Sequence, residues 1–558
     1  MAPDILRFRI GQSLLLVGPI TTFAINPWTS YDPISVVKLS VISTLSFLAL
    51  FLMLSHREIT KNVDKSLKIS MGLFVLFLFS SFLFSGAPMD QQLWGVFGRS
   101  TGLLAYFSLG IILFATAVLC DVNFYQKIVY VLILTAIPMD LYCFIQLTGN
   151  DPIKWSSFET FGTLGNVNFL SAYLGIVSVA TTAYIVSRDA PIRIKSFFAI
   201  LLVCNLFIVQ STGSVQGLFV FVFGVVVIIF VKLKRMKLFS LTQLGFVVMV
   251  TLMGIPSIAG LANKGPLAPY LFQNSNLLRT DYWHAGLEMT QRNPFFGVGM
   301  DTYGDWYREA LGEISTLRGS PDRTANTAHN IFLDISSNGG FPLLIAYIAL
   351  MLCALRASFR VYKRLGRHEN HIFVALFASW CAYQVQALVS INQLGVGVWG
   401  WLLTGALIGY ERSQRNPSDP FTKPIISRNF KAKLLPASSA IMGVAGMGLG
   451  FIFAWFPLNA DSNYYSAMKS RDFSRIYSSA EALGSTAWHR AGAINYAYQS
   501  QAWDKAQEMA LKMTEGNSRD FFGWRYLMYA PNSSAELKSL ALAKLKELDP
   551  YNPEFKTP

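Results

Sequence analysis

The amino-acid sequence predicts an all-α, polytopic membrane helix bundle, and two observations support this prediction. The chain has 558 residues, of which 53% are hydrophobic and only 14% are charged, whereas soluble domains carry about 25% charged residues. Roughly thirteen apolar segments alternate with polar loops, and each is near the roughly 20 residues that a helix needs to cross a bilayer. We therefore expect about 12–14 transmembrane helices.

The apolar segments follow one another along most of the chain. We expect membrane spans at about 10–27, 34–54, 68–86, 101–119, 127–147, 163–186, 195–211, 214–231, 238–260, 340–356, 371–390, 394–410 and 433–456. Every second loop is rich in Lys and Arg. The positive-inside rule places such loops in the cytoplasm. The N-terminus is therefore predicted to be cytoplasmic, with a long loop and the C-terminus on the outer side of the membrane.

The charge and cysteine patterns exclude several classes of function. The net charge of +14 arises mainly from the short basic loops, which topology and anionic lipid headgroups explain. We therefore expect a lipid bilayer, and not nucleic acid, as the partner of these cations. The five cysteines lie in or beside apolar segments without the spacing of a metal site. We expect no metal and no cofactor.

The sequence divides into a membrane domain, residues 1–456, and a C-terminal soluble domain, residues 457–558. Within the membrane domain, residues 261–339 form a loop long enough to indicate a function. The soluble domain has amphipathic helical patterns at about 461–483, 486–499, 502–514, 521–529 and 534–548. Its last helix resembles the close of a tetratricopeptide helix pair. Such a domain either recruits an acceptor substrate or a protein partner, or it covers the membrane domain as a purely structural element.

The candidate functional residues lie in the loops that are poor in Lys. His329 precedes an apolar span, and a histidine at an interface can act as a general base. Arg279 in the long loop, and Arg99 before an earlier span, could bind phosphate. Polar side chains in the same set of loops could position a substrate: Asn166, Asn168, Gln216 and Asn330.

Each of these residues also has a structural interpretation. A loop histidine is often only a polar surface residue, and Arg99 could extend its guanidinium to the membrane interface. Asn166 and Asn168 could cap the helix that they begin. Gln216 follows Gly213 and could belong to a tight turn. The residue types alone leave both interpretations open.

Several motifs, taken in order, resemble the O-antigen ligase and O-antigen polymerase superfamily, which includes protein O-oligosaccharyltransferases. The most specific are His329-Asn330 and the stretch Asn293-Pro294-Phe295-Phe296-Gly297-Val298-Gly299. Weaker matches are Gly98-Arg99-Ser100-Thr101-Gly102, Gly162-Thr163-Leu164-Gly165-Asn166-Val167-Asn168, Ser211-Thr212-Gly213-Ser214-Val215-Gln216-Gly217, and Arg279 with Trp283. Together they cover about residues 95–410.

The resemblance implies an enzyme that takes a glycan from an undecaprenyl diphosphate donor. It would transfer the glycan to an acceptor hydroxyl at the outer face of the membrane, without metal and with inversion at the anomeric carbon. Arg279 and Arg99 would bind the diphosphate, His329 would deprotonate or orient the acceptor, and the four polar residues would position the substrates. The chain departs from the family pattern at Gln216, where an Arg is usual, and at Asn338, where a carboxylate is common.

Several functions remain open on the sequence. The acceptor could be a lipid-attached core saccharide, another lipid-linked glycan or a protein, which correspond to a ligase, a polymerase and a protein O-oligosaccharyltransferase. A polysaccharide transporter or flippase is an alternative from another class. Transporters usually carry ionisable residues at the middle of the bilayer, and Asp140 is the clearest such residue here. A scaffold without catalysis would explain the soluble domain but not the paired His-Asn and Arg-Trp motifs.

Overall fold

The computed structural model describes residues 2–155, 159–188, 190–233, 241, 244–249, 259, 264–266, 268–271, 274–318, 323–365, 370–415 and 435–556. Helices make up 76% of the model, and no strand occurs in these ranges. The predicted all-helical class is therefore confirmed, and the chain is a multi-pass membrane protein.

The helices are numbered here in chain order. They are α1 (Ala2–Phe23), α2 (Ser35–Leu54), α3 (Glu58–Lys61), α4 (Lys65–Phe84), α5 (Met89–Trp94), α6 (Leu103–Val118), α7 (Val122–Leu147), α8 (Val167–Ile185), α9 (Ile192–Ser211), α10 (Val215–Leu233), α11 (Ala268–Leu271), α12 (Asn274–Arg292), α13 (Tyr303–Ala310), α14 (Glu313–Arg318), α15 (Ile331–Arg364), α16 (His371–Ala387), α17 (Leu394–Ser413), α18 (Ala437–Ser470), α19 (Phe473–Ala480), α20 (Ala487–Gln499), α21 (Trp503–Gly516), α22 (Phe521–Tyr529), α23 (Ala535–Leu548) and α24 (Pro553–Lys556).

Eight helices of the described chain are long and apolar enough to cross a membrane: α2, α4, α7, α8, α9, α10, α15 and α18. The shorter apolar helix α6 lies at the predicted fourth span. Helices α1, α16 and α17 also occupy predicted positions, although they do not meet the same length and hydropathy criteria. The predicted span at 238–260 lies mostly outside the described residues.

Glycines allow two of the membrane helices to pack closely. Helix α18 lies against α2, and a Cβ atom on Gly446 would lie 2.6 Å from the carbonyl oxygen of Phe47. A Cβ on Gly450 would lie 2.4 Å from the carbonyl oxygen of Ser43. Small residues four positions apart are typical of helix contacts in membranes, where close approach of the backbones replaces the hydrophobic effect.

Side-chain contacts show which loops lie together at each end of the helix bundle. At one end, the predicted basic loops meet: Arg415 pairs with Asp64 at 2.6 Å, and Arg412 donates to the carbonyl of Ala117 at 2.7 Å. At the other end, the Gly98 N–H donates to Asp32 at 3.0 Å, and Gln393 donates to the carbonyl of Leu164 at 3.4 Å. The loops that carry the candidate functional residues belong to this second end.

The long loop forms a small helical unit of its own. Helices α12, α13 and α14 lie within it, and buried Ala285, Met289, Val298 and Tyr303 form part of a separate apolar cluster. The following span was predicted to begin at about residue 340. The structure instead starts helix α15 at Ile331, with a break at Gly340, where φ is 74°.

The C-terminal region is helical, but its first helix differs from the prediction. A single helix, α18, continues from Ala437 to Ser470, across the predicted boundary at residue 456. The predicted helix at 461–483 is replaced by the end of α18 and the separate helix α19. Helices α19 to α24 enclose their own core, which includes Ile494, Met509 and Leu545. The predicted resemblance to tetratricopeptide repeats stays a prediction.

Candidate active site

Arg99 lies in a tight loop between α5 and α6, which we call the Arg99 loop (residues 95–102). Its side chain is 10% exposed. One terminal nitrogen donates to the carbonyl of Asn326 at 2.6 Å, and Nε lies 3.6 Å from a carboxylate oxygen of Asp301. The guanidinium is therefore held from two directions and does not simply extend to the membrane interface.

Asp301 organises this loop and was not singled out from the sequence. Its side chain is 2% exposed, and one carboxylate oxygen accepts from the N–H of Val96 at 3.0 Å and of Thr101 at 3.2 Å. A Cβ on Gly95 would lie 2.4 Å from the same oxygen. Asp301 follows the Gly297-Val298-Gly299 stretch by two residues, and this position is the signal that could have revealed it.

His329 is held in the unusual left-handed region, with φ of 51°. Asp334, one turn into helix α15, accepts from the hydroxyl of Thr327 at 2.7 Å and from the N–H of Ala328 at 2.7 Å. These bonds fix the two residues before His329. The imidazole stacks on the ring of Tyr282, with centroids 5.1 Å apart. Such local strain is typical of functional sites when the surroundings enforce it.

Arg279 and Arg99 both act on His329. Burial, together with the positive charges of Arg99 and Arg279, lowers the pKa of His329 to about 4. His329 is therefore neutral at pH 7, with a lone pair able to accept a proton. Burial also lowers the pKa of the Arg279 guanidinium, and Tyr282 is the one titratable neighbour among the described groups that opposes this shift. Geometry agrees: Arg99 donates to Asn326, three residues before His329, and His329 stacks on Tyr282, three residues after Arg279. Three predicted site residues, on three separate segments, thus lie near one another.

The glycine-rich motif has a clear structural role. The motif lies alongside the broken start of helix α15. The N–H of Val298 donates to the carbonyl of Ser337 at 2.8 Å, and the N–H of Gly299 donates to the carbonyl of Asn338 at 3.0 Å. A Cβ on Gly297 would lie 2.3 Å from the carbonyl carbon of Asn338. A helix break leaves carbonyls without intrahelical partners, and this segment supplies the missing donors.

The predicted positioning residues fall into two groups. Asn330 caps helix α15, accepting from the N–H of Phe332 at 3.0 Å and of Leu333 at 3.2 Å. Asn166 caps α8 in the same way, with the N–H of Asn168 at 2.8 Å. These two side-chain oxygens therefore act as helix caps.

Asn168 and Gln216 lie close together at the ends of α8 and α10. The hydroxyl of Ser214 donates to Asn168 at 2.7 Å, and the backbone N–H of Gln216 donates to Ser214 at 3.3 Å. Gln216 is only 8% exposed, and its side-chain nitrogen, Nε2, has no hydrogen-bond partner in the described ranges. The structure gives no contact between this pair and His329.

A cavity of about 210 Å³ connects the Arg99 loop with the segment before Asn166. Its lining comes from four loops and includes Arg99, Thr101, Gly165, Phe169, Asn392 and Gln393. Its lining combines polar and apolar groups; the guanidinium of Arg99 contributes positive charge, and Asp32 contributes a carboxyl group whose pKa is raised by burial. We call it the Arg99 cavity. Such an arrangement can hold an anionic group beside an apolar chain.

One family model matches part of the chain. No curated protein matches the chain. The family described as O-antigen ligase has a model that matches residues 197–348, a range that contains Gln216, Arg279, His329 and Asn330. The match, together with the order of the motifs, supports membership of the chain in the O-antigen ligase superfamily.

Proposed function

We propose that the protein transfers a glycan from an undecaprenyl diphosphate donor to an acceptor hydroxyl, in the manner of an O-antigen ligase. The reaction takes place at the outer face of a bacterial plasma membrane, in the synthesis of an envelope polysaccharide. The meeting of Arg99, Arg279 and His329 is the observation that carries this proposal. The family match supports the class of reaction, a membrane glycosyltransferase of the ligase or polymerase type.

The two arginines bind the diphosphate of the donor. Cleavage of the bond between the sugar and the diphosphate leaves negative charge on the phosphate oxygens. Positioned guanidinium groups stabilise such charge because they are fixed before the reaction begins. Arg99 is positioned by Asp301 and by the carbonyl of Asn326. The arginines supply the positive charge that a metal ion would otherwise provide, so we propose a metal-independent reaction.

His329 accepts the proton of the acceptor hydroxyl as the oxygen attacks the anomeric carbon. Its neutral state at pH 7 suits this role. The new bond forms on the face opposite the diphosphate, and the electron pair of the broken bond leaves with the phosphate. We therefore propose inversion at the anomeric carbon. Asn330 and Asp334 act indirectly, because they fix the segment that presents the imidazole.

The first experiment compares wild type with His329→Ala, Arg279→Ala and the control Arg292→Ala. Arg292 lies on the same helix as Arg279, and its side chain is 44% exposed. The full chain in sealed proteoliposomes receives a pool of undecaprenyl diphosphate glycans extracted from the source bacterium. Products are separated into free polymer, lipid-attached glycan and protein-attached glycan.

We expect transfer by wild type and by Arg292→Ala, and a loss of at least a hundredfold in the two other variants. The product class then identifies the acceptor and separates ligase, polymerase and protein O-oligosaccharyltransferase. Full transfer by His329→Ala would remove the central assignment. Movement of intact lipid-linked glycan across the membrane, without transfer in any variant, would instead support a flippase.

A further inference from the structure

A second and larger cavity lies between the Arg99 loop and the C-terminal helices. It has a volume of about 590 Å³, within the range of about 300–1,000 Å³ that is usual for small-molecule sites. One wall comprises residues 88–97 with Asp305 and Asn326, and the other comprises residues of α20, α21 and their flanking turns. We call it the interface cleft.

The two walls are fixed relative to each other by several contacts. Phe97 stacks on Trp488, with ring centroids 4.0 Å apart. The guanidinium of Arg519 lies 3.5 Å from the ring centroid of Trp306 and pairs with Glu309. Farther along, Arg308 pairs with Asp549 at 3.1 Å. The cleft is therefore a preformed feature of the described structure, which favours ligand binding because little ordering remains to be done.

The charges of the cleft do not suit a diphosphate. Four carboxylates and two cations line it: Asp90, Asp305, Glu481 and Asp520, with Arg490 and Lys512. Both cations are already paired, Arg490 with Asp90 at 3.3 Å and Lys512 with Glu481 at 3.0 Å. Burial raises the pKa of Asp305 to about 7 and also raises that of Asp520. The described lining of the cleft therefore offers neither a free cation nor a strong net charge, and it lacks the partner that a diphosphate needs.

The remaining lining suits a neutral, polyhydroxylated ligand. Trp488 is 43% exposed and provides an apolar ring at the wall of the cleft. Gln91 and Asn517 also line the cleft, and their side-chain amides donate to Asp305 at 3.1 and 3.0 Å. Polar groups that are held in place thus surround an aromatic surface. The alternation of hydroxyl and C–H groups on a pyranose ring matches the lining described here.

The cleft also adjoins the candidate active site. Phe97 lines both the interface cleft and the Arg99 cavity. Asn326 lines the cleft while its carbonyl accepts from Arg99 at 2.6 Å. A ligand in the cleft would therefore reach toward the arginine that we assign to the donor.

We propose that the interface cleft binds the acceptor as a neutral oligosaccharide, and that the C-terminal helices form half of this site. This inference rests on the proposed glycan transfer, since it names the second substrate of that reaction. It assigns a direct binding role to the C-terminal helices, beyond a structural cap. The donor diphosphate and the acceptor sugar then occupy separate cavities on either side of Phe97, and only the donor cavity is lined by the guanidinium of Arg99.

The test fills the cleft without changing the donor site. Ala487 is exposed, lines the cleft and begins helix α20, so Ala487→Trp places an indole in the cavity. Asn495 is also exposed on α20 but does not line the cleft, and Asn495→Trp is the matched control. Three probes are titrated into the full chain in nanodiscs by calorimetry. They are the glycan released from the polyprenyl diphosphate pool, the saccharide released from envelope lipids, and a synthetic Ser/Thr-rich peptide.

We expect one of the two saccharides to bind wild type and Asn495→Trp equally, and Ala487→Trp at least tenfold more weakly. The saccharide that binds shows whether the acceptor is a lipid-linked glycan or an envelope-lipid core. Retention of labelled undecaprenyl diphosphate should be equal in all three proteins. Unchanged saccharide affinity in Ala487→Trp would overturn the proposal, as would a peptide that binds in place of both saccharides, or no binding by any probe.

The failure of the acceptor site can be distinguished from failure of the transfer reaction. His329→Ala should bind saccharide as wild type does, because the imidazole does not line the cleft. If this variant transfers glycan normally while Ala487→Trp loses saccharide affinity, the catalytic assignment is wrong and the acceptor site stands. If His329→Ala is inactive and Ala487→Trp binds saccharide normally, the catalytic assignment stands and the acceptor site is wrong.

Discussion

The charge of Arg279 should control the protonation of His329. The pKa of His329 is lowered from 6.5 to about 4, which corresponds to a penalty on the imidazolium of about 3 kcal/mol. Only about one imidazole in a thousand is then protonated at pH 7. Burial is the largest cause, followed by Arg99 and then Arg279. We expect Arg279→Gln to raise the pKa of His329 while leaving it below 6.5, since the burial remains.

The measurement is NMR of side-chain-labelled histidine in the full chain, titrated from pH 3.5 to 8. The chain has six histidines, and His329→Ala identifies the resonance of interest. Arg292→Gln is the control. It removes a cation ten residues beyond Tyr282, on which His329 stacks, and this is about 15 Å along the helix at 1.5 Å per residue. At that distance, solvent screening should leave the pKa of His329 unchanged.

Two results would contradict this account. A midpoint near 6.5 in the wild type would mean that His329 is neither buried nor close to the two arginines. Equal midpoints in wild type and Arg279→Gln would mean that the guanidinium of Arg279 does not act on the imidazole. In either case the grouping of the three residues into one site would fail, whatever the activity of the variants.

Three further changes test the supporting structure. Gly340→Ala should destabilise the protein by about 1–3 kcal/mol, because φ is 74° and the new Cβ would lie 2.6 Å from the backbone of Phe295. The control is Gly72→Ala, where a Cβ would have nothing within 4 Å, and this change should not lower the Tm measured in detergent. Asp301→Asn should raise the KM for donor about tenfold or more through loss of the charge that holds Arg99, and an unchanged KM would separate the loop from donor binding. Burial raises the pKa of Asp305 to about 7 from an ordinary 3.8; the folded state then binds this proton more tightly, so stability should fall as pH rises from about 4 to 7. Asp305→Asn should flatten this dependence in Tm measurements at pH 5 and 8.

The sequence was most informative about the helices that face lipid. A bilayer requires long apolar segments and internal satisfaction of backbone groups, so helices such as α8 and α9 lie close to their predicted positions. The first residues of α15 were missed because Ile331 to Gly340 carries polar residues, including Asp334 and Asn338. The side chains of Asp334 and Ser336 find partners in the long loop, at Thr327, Ala328 and Thr290, and hydropathy does not reveal these contacts.

The sequence could predict only part of the candidate site, because motifs reveal some of its residues and three-dimensional contacts reveal others. His329, Arg279 and Arg99 were identifiable by residue type and motif, and the structure brings them together. The role of Asp301 depends on three-dimensional contacts. Asp301 accepts from residues about 200 positions earlier in the chain, and no periodic pattern reports such a contact. The interface cleft likewise requires segments that are far apart in the sequence.

The arrangement of charges also implies an order in the chemistry. In the free protein, Arg99 and Arg279 weaken His329 as a base. A bound diphosphate neutralises both guanidinium groups, which removes part of what lowers the pKa of His329. The base therefore strengthens only when the donor is in place. In pH profiles, kcat/KM reports the free enzyme and kcat reports the substrate complex. We expect the acidic limb of kcat to lie at higher pH than that of kcat/KM, and coincident limbs would show that donor binding leaves His329 unaffected.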